Sequence, residues 1–219
     1  MALANIGRVE EEKGNYALAG EYFNHAHKVL VGSNQTDSSL EAKIEVYQAL
    51  LATDQGETAE AIRQAYLALA LLRTLKDSEN PDVASGLLAL GQAKLLGGDA
   101  AGAESAFREA LTIRQRLYPP SHPEVLQVNA RLIEALLAEG RSKDSLTQAE
   151  GAFKQALDAP YPLPKWRIAE LKILKAMALS ATGHTAESSA LISEGRNELV
   201  DYNQPAMRRY LMERLRSRS

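Results

Sequence analysis

The chain has 219 residues, of which 45% are hydrophobic and 5% aromatic, an ordinary balance for a folded helical protein. Its net charge of −3 provides no basic field for nucleic acid, because phosphate binding needs clustered Lys and Arg. The absence of Cys excludes disulfides and thiolate metal sites. No secretory signal and no apolar run of membrane-spanning length is visible, so we expect a cytoplasmic protein without a membrane or nucleic-acid partner.

Five glycines divide the chain at nearly equal intervals. They are separated by 42, 42, 42 and 43 residues and are Gly14, Gly56, Gly98, Gly140 and Gly183. A glycine just past a helix adopts the left-handed conformation that ends it, so each predicts the turn of a helix hairpin. The predicted helices cover, in chain order, 2–13, 16–31, 39–54, 57–75, 81–96, 100–117, 123–138, 142–158, 164–181, 185–201 and 205–216.

Residues at fixed distances from these glycines are small. Five residues after each glycine stand Ala19, Ala61, Ala103, Ser145 and Ser188, and seven residues before stand Gly7, Ala49, Gly91, Ile133 and Ala176, which are small with one exception. Small residues allow two helices to approach closely. We expect the aromatic rings of Phe23 and Phe107, nine residues after a glycine, to fill the gap between neighbouring hairpins.

Prolines mark several helix starts. Pro81 and Pro123 are predicted in a first turn, where a missing N–H costs no hydrogen bond, with Asn80 and His122 as caps. Ser38 and Glu41 have the spacing of a capping box in the second hairpin. Pro164 repeats the proline signal for the fifth hairpin, and Pro205 begins a single last helix that we expect to cover the open end of the array.

Two segments carry a family resemblance. They are Asn5-Ile6-Gly7 with Gly14-Asn15-Tyr16, Ala19, Phe23 and Ala26, and Leu90-Gly91 with Gly98-Asp99, Ala103, Phe107 and Ala110. Both resemble the tetratricopeptide repeat (TPR). The long period and the linker His122-Pro123-Glu124-Val125 are similar to the kinesin-light-chain type of this repeat.

The resemblance implies an all-α fold, a right-handed superhelical α-solenoid of five TPR-like hairpins with a C-terminal capping helix at 205–216. We expect one repeat domain over 1–219, with repeats at about 1–37, 38–79, 80–121, 122–162 and 163–203.

The resemblance also implies a binding groove, because the first helix of each hairpin lines the concave face in this family. Residues thirteen, nine and six positions before a turn glycine point into that groove. The implied groove residues are Asn5, Arg8, Lys43, Tyr47, Gln92, Gln127, Arg131 and Glu134. Leu88, Leu95 and Leu96 give the third repeat an apolar groove or, alternatively, are buried between hairpins.

No arrangement of residues indicates catalysis. His25 and His27 diverge around a helix and cannot share a metal ion, and consecutive carboxylates at Glu10, Glu11 and Glu12 splay apart. Neither a phosphate-binding loop nor a nucleophile elbow is present. We therefore expect no enzyme, no metal and no cofactor. The arginines of the last dozen residues are interpreted as the exposed face of the final helix.

The sequence favours a protein–protein interaction scaffold that binds a peptide or protein segment in its groove. One alternative is a regulatory or sensory region of a larger bacterial signalling protein such as a Ser/Thr kinase, since Met1 stands before helical sequence without a cap and indicates a fragment. Another alternative is a self-association module, a homo-oligomer in which an uncapped first hairpin docks on another copy.

Overall fold

The computed structural model describes residues 1–32, 37–75 and 80–199, and every regular element in these ranges is an α-helix. The helices, numbered in chain order, are α1 Ala2–Glu12, α2 Tyr16–Gly32, α3 Ser38–Gln55, α4 Thr58–Thr74, α5 Pro81–Leu96, α6 Ala100–Leu117, α7 Pro123–Ala138, α8 Ser142–Leu157, α9 Lys165–Ala181 and α10 Thr185–Leu199. The ten predicted helices that begin in these ranges are confirmed to within two residues at each described end, and the predicted end of the tenth, residue 201, lies outside the described residues. The predicted last helix, 205–216, lies outside the described residues.

The five predicted turn glycines all have positive φ, between 74° and 89°. The residue after each glycine donates its N–H to the carbonyl five residues earlier, at 2.8 or 2.9 Å in every repeat. In the first repeat this bond joins Asn15 N to Glu10 O, and in the third it joins Asp99 N to Lys94 O. One left-handed residue therefore ends the first helix of every hairpin and satisfies its last carbonyls in the same way.

Two hairpins are built on contact between a glycine and a phenylalanine ring. A Cβ on Gly7 would lie 2.5 Å from the ring of Phe23, and a Cβ on Gly91 would lie closer still to the ring of Phe107. We predicted that these rings fill the gap between neighbouring hairpins. Phe23 does cluster with Leu51 of the next hairpin, but each ring also occupies the space left by the glycine of its own hairpin.

The predicted helix starts are confirmed in two linkers and wrong in two others. The side chain of Asn80 accepts from Asp82 N at 2.8 Å, and His122 Nδ1 accepts from Glu124 N at 3.3 Å. In the second hairpin Asp37, not Ser38, is the cap, and its carboxylate accepts from Leu40 N because Ser38 already lies inside the helix. Pro164 precedes α9 as a residue in extended conformation and does not lie in its first turn.

The chain divides into two compact units, Met1–Ile113 and Arg114–Ser219. In the first unit the first helices α1, α3 and α5 are successive neighbours, and α2 and α4 pack beside them. In the second unit α7 and α9 are neighbours, α8 packs against both, and α10 packs on α9. The core of the second unit is formed by Leu126, Ile133 and Ile173, among other buried apolar residues.

Candidate protein-interaction face

Five of the eight predicted groove residues lie on the first helices of the first unit. Asn5 and Arg8 are on α1, Lys43 and Tyr47 on α3, and Gln92 on α5. Asn5 is exposed and the other four are half-buried. We call the surface of α1, α3 and α5 that carries these five residues the first-helix face.

Contacts between neighbouring helices link residues on the first-helix face. The guanidinium carbon of Arg8 lies 5.4 Å from the centre of the Tyr47 ring, so α1 contacts α3 through a cation–π pair. Lys43 Nζ lies 3.1 Å from a carboxylate oxygen of Asp82, which joins α3 to α5. Of the predicted groove residues, the structure therefore brings Arg8 and Tyr47 together, whereas Lys43 pairs with Asp82, which was not predicted.

Tyr47 is held in place from two sides. Its ring centre lies 5.7 Å from that of the buried Phe23, with the planes tilted by 31°, and Arg8 lies over it. Arg8 is itself fixed by a 2.9 Å ion pair with the buried carboxylate of Glu11. A half-exposed aromatic ring that is already ordered loses little conformational freedom when a ligand covers it.

The other three predicted groove residues lie in the second unit, where two of them are buried. Gln127 is half-buried, whereas Arg131 and Glu134 are almost fully inaccessible. The guanidinium of Arg131 bridges Glu134 at 2.7 Å and Glu170 on α9 at 2.5 Å. Arg131 and Glu134 therefore serve as internal ion-pair partners in this structure.

Arg167 completes this buried charge cluster, which we define as Arg131, Glu134, Arg167 and Glu170. Arg167 donates to the second oxygen of Glu170, and its guanidinium stacks on Trp166 at 4.3 Å. Burial lowers the pKa of Arg167, and the neighbouring Glu170 opposes that shift. The cluster contains two positive and two negative groups. The sequence signal for this cluster is Arg131 and Glu134, three residues apart on α7. The sequence does not indicate that they form ion pairs with residues of α9.

The leucines of the third repeat divide between the two interpretations. Leu88 is buried, Leu95 is half-buried, and Leu96 is 45% exposed. Leu88 thus lies in the interior, which agrees with the alternative that it is buried between hairpins and not in the groove.

The described residues meet neither the requirements of a metal site nor those of a membrane-spanning helix. Within the ranges 1–32, 37–75 and 80–199, no three His, Asp or Glu side chains are grouped closely enough to hold a metal ion. Across the same part of the chain, none of the helices combines the length and the apolar character that a membrane crossing requires. His122 caps α7 and stacks on Tyr118 at 4.2 Å between ring centres, so its ring is used in the linker.

Comparisons with known proteins agree with this architecture. The family model of the tetratricopeptide repeat matches residues 83–124. Among curated proteins, none matches the chain.

Solved structures match over most of the chain. A Podosopora anserina protein described as a kinesin light chain, with nearly identical TPR-like repeats, aligns with a TM-score of 0.71, 17% identity, and coverage of 93% of this chain and 96% of that one. A form of that protein with one substitution aligns with a TM-score of 0.73 and 18% identity, covering 90% of this chain and 93% of that one. BtubC (BKLC) from P. vanneervenii gives a TM-score of 0.76 at 17% identity, covering 92% of this chain and 80% of that one.

At these identities the structures establish the fold alone. Residues 83–124 form a tetratricopeptide repeat, and the fold of the chain is that of kinesin-light-chain-like TPR proteins.

Proposed function

We propose that the chain is a protein-interaction scaffold that binds a segment of a partner protein on the first-helix face of its first unit. Tetratricopeptide repeats generally mediate protein–protein interaction, and the chain shares their fold. The observation that carries the proposal is Tyr47, a half-exposed ring held between Arg8 and Phe23 on a surface formed by three helices.

The chemistry of this face favours a ligand without a large net charge. Arg8 is paired with Glu11 and Lys43 with Asp82, so the two cations on the face are already neutralised locally. Asn5 and Gln92 add side-chain amides, which both donate and accept hydrogen bonds. An extended segment would therefore be held by amide contacts to its main chain and by one apolar or aromatic side chain on Tyr47.

The buried charge cluster explains why we assign binding to the first unit. In the second unit, Arg131 forms ion pairs with Glu134 and Glu170, and both Arg131 and Glu134 are inaccessible to a ligand. A ligand that bound Arg131 or Glu134 would leave another buried charge without its partner, which costs about 3–5 kcal/mol.

Affinity capture with matched tyrosine variants tests the proposal. Tyr47→Ala removes the ring from the first-helix face, whereas Tyr66→Ala removes a ring that is 52% exposed on α4. We expect a bound protein whose recovery falls at least about tenfold with Tyr47→Ala and is unchanged with Tyr66→Ala, since losing one hot-spot aromatic typically costs about 2 kcal/mol or more. Equal recovery with both variants, at unchanged helical circular dichroism, would contradict the assignment.

A further inference from the structure

The interface between α2 and α3 combines apolar contacts with a buried carboxyl group. Ile44 of α3 clusters with Ala26 of α2, and the next residue on each helix is polar, Glu45 on α3 and His27 on α2. Glu45 is only 8% exposed. Burial has the largest effect on the pKa of Glu45, and His27 has the largest effect among the charged groups. A carboxyl group is therefore enclosed where the first hairpin, α1 and α2, packs on α3.

The buried polar atoms around Glu45 are acceptors without a donor. Glu45 Oε2, His27 Nδ1 and Gln64 Oε1 on α4 are each inaccessible and have no hydrogen-bond partner. The amide nitrogen of Gln64 donates to Glu60 Oε1 at 2.8 Å, and Glu60 also accepts two bonds from Arg63. Turning the Gln64 amide over would serve Glu45 at the expense of Glu60. A proton on Glu45 instead supplies a donor, and Gln64 Oε1 is an acceptor for it.

The next interface of the same kind in the first unit is apolar. Counted from the turn glycines, the positions of His27 and Glu45 are occupied there by Leu69 of α4 and Leu87 of α5. Both leucines are at most 3% exposed. Stacking of one hairpin on the next therefore needs no polar group at these positions, and a buried polar group without a partner costs free energy. Glu45 makes the α2–α3 interface sensitive to its own charge.

Charged groups on three helices act on Glu45. Burial raises its pKa, and His27 on α2 and Arg63 on α4 oppose that rise. The carboxylates of Glu41 on α3 and Glu60 on α4 add to it. The packed interface thus holds the proton more tightly than an opened one, so docking is strongest below the ordinary pKa of 4.5 and weakens as the pH rises through the raised pKa. His27 offsets the charge only while its ring is protonated, so its own deprotonation acts in the same direction.

We propose that a proton on Glu45 controls the docking of the first hairpin on α3, and that the interface loosens when this proton leaves. The protonated group is neutral and donates to Gln64 Oε1, so α2 covers it without burying a charge. The ionised group gains water when α2 parts from α3, a local opening of the kind that repeat proteins undergo. Arg8 of α1 meets Tyr47 of α3 across the same junction, so the proton also completes the first-helix face, and that consequence alone rests on the proposed function.

Hydrogen–deuterium exchange of the chain without a partner tests the proposal, with rates corrected for the intrinsic dependence of exchange on pH. We expect the protection of amides in α1 and α2 to fall at least about threefold between pH 5 and 8, since one proton permits at most about a tenfold change per pH unit. Glu21→Gln, which removes an exposed carboxylate of α2, should keep this pH dependence.

Glu45→Leu, alone and together with His27→Leu, is the matched variant, because leucine stands at both positions of the next interface. Protection of α1 and α2 should then be higher at pH 8 and independent of pH. Glu45→Gln, which keeps the shape of the side chain, should also remove the pH dependence and covers the case in which the leucine variants do not fold. Protection that does not change with pH in the parent chain would overturn the proposal, as would an unchanged pH dependence in the Glu45 variants. Because no partner takes part, either result leaves the proposed binding at Tyr47 to its own test.

Discussion

A polar cluster in the first unit contains atoms that lack hydrogen-bond partners. Glu45 is buried on α3, and its Oε2, Gln64 Oε1 and His27 Nδ1 have no partner. In the fourth repeat the positions of Glu45 and Gln64 are occupied by Asn129 and Gln148, which are hydrogen-bonded at 2.9 Å. Two acceptor oxygens cannot bond to each other. The amide nitrogen of Gln64, which is the equivalent of the Gln148 donor, donates instead to Glu60 Oε1 at 2.8 Å.

The charge on Glu45 is unfavourable in the folded chain. Burial raises the pKa of Glu45, and His27 and Arg63 partly offset that effect. The like charges of Glu41 and Glu60 add to it. Because the folded state holds the proton more tightly than the unfolded state, this residue favours folding at low pH. Its contribution is lost as pH rises through the raised pKa of the folded state.

Glu45→Gln should therefore stabilise the chain at pH 7. The amide removes the buried charge and supplies a donor for Gln64 Oε1, and we expect a gain of about 1 kcal/mol. The gain should shrink as pH falls towards 4.5, the ordinary pKa of a glutamate, and urea denaturation between pH 4 and 8 measures it. Glu21→Gln, at an exposed position on α2, is the control. A variant less stable than the parent at pH 7 would refute this account.

Glu170 holds the buried charge cluster together, because its two oxygens bind two arginines. Glu170→Ala removes one of the two carboxylates that pair with Arg131 and the carboxylate to which Arg167 donates. We therefore expect a loss of about 3–5 kcal/mol in the free energy of unfolding. Glu194→Ala removes an exposed carboxylate that pairs with Lys172 and should cost less than about 1 kcal/mol. Similar losses for the two variants would show that the cluster contributes no more than a surface ion pair.

At the scale of the helix pair, glycine and phenylalanine are coupled. Gly91→Ala would drive a methyl group into the ring of Phe107, which is fully buried. We expect a net loss of about 1–3 kcal/mol, even though alanine is the better helix former by about 1 kcal/mol. Gly151→Ala on α8, where a Cβ meets open space, should instead stabilise the chain by about 1 kcal/mol.

A double-mutant cycle checks this coupling. Phe107→Ala alone leaves a cavity, and in its presence Gly91→Ala should cost little or become favourable. We expect an interaction energy of at least about 1 kcal/mol from thermal or urea unfolding. Additive effects would mean that the helices adjust without strain and that the glycine is not needed for the ring.

Element boundaries were predictable because their signals are local. Gly14 and its four counterparts need a left-handed φ, and Pro81 and Pro123 need a first turn, whatever surrounds them. The error in the second hairpin arose because two neighbouring residues could serve the same purpose. Asp37 and Ser38 both make good caps, and only the structure decides which of them lies outside the helix.

For the whole molecule, the repeat predicted which residues share a face but not which of them are accessible. The spacing that places Tyr47 on the first-helix face predicted the same exposure for Arg131, yet Arg131 is buried. Its burial depends on Glu170, on a helix 39 residues further along, and an ion pair of that kind leaves no local pattern. Accessibility therefore had to come from the packed structure.

The central claim, that a partner segment lies across α1, α3 and α5, can be tested most directly by hydrogen–deuterium exchange of the chain with and without its captured partner. Slowed exchange is predicted in the first helices of the first unit, around Arg8, Tyr47 and Gln92, with α2 and α4 unchanged. Protection confined to α2 and α4, or to the second unit, would contradict the claim.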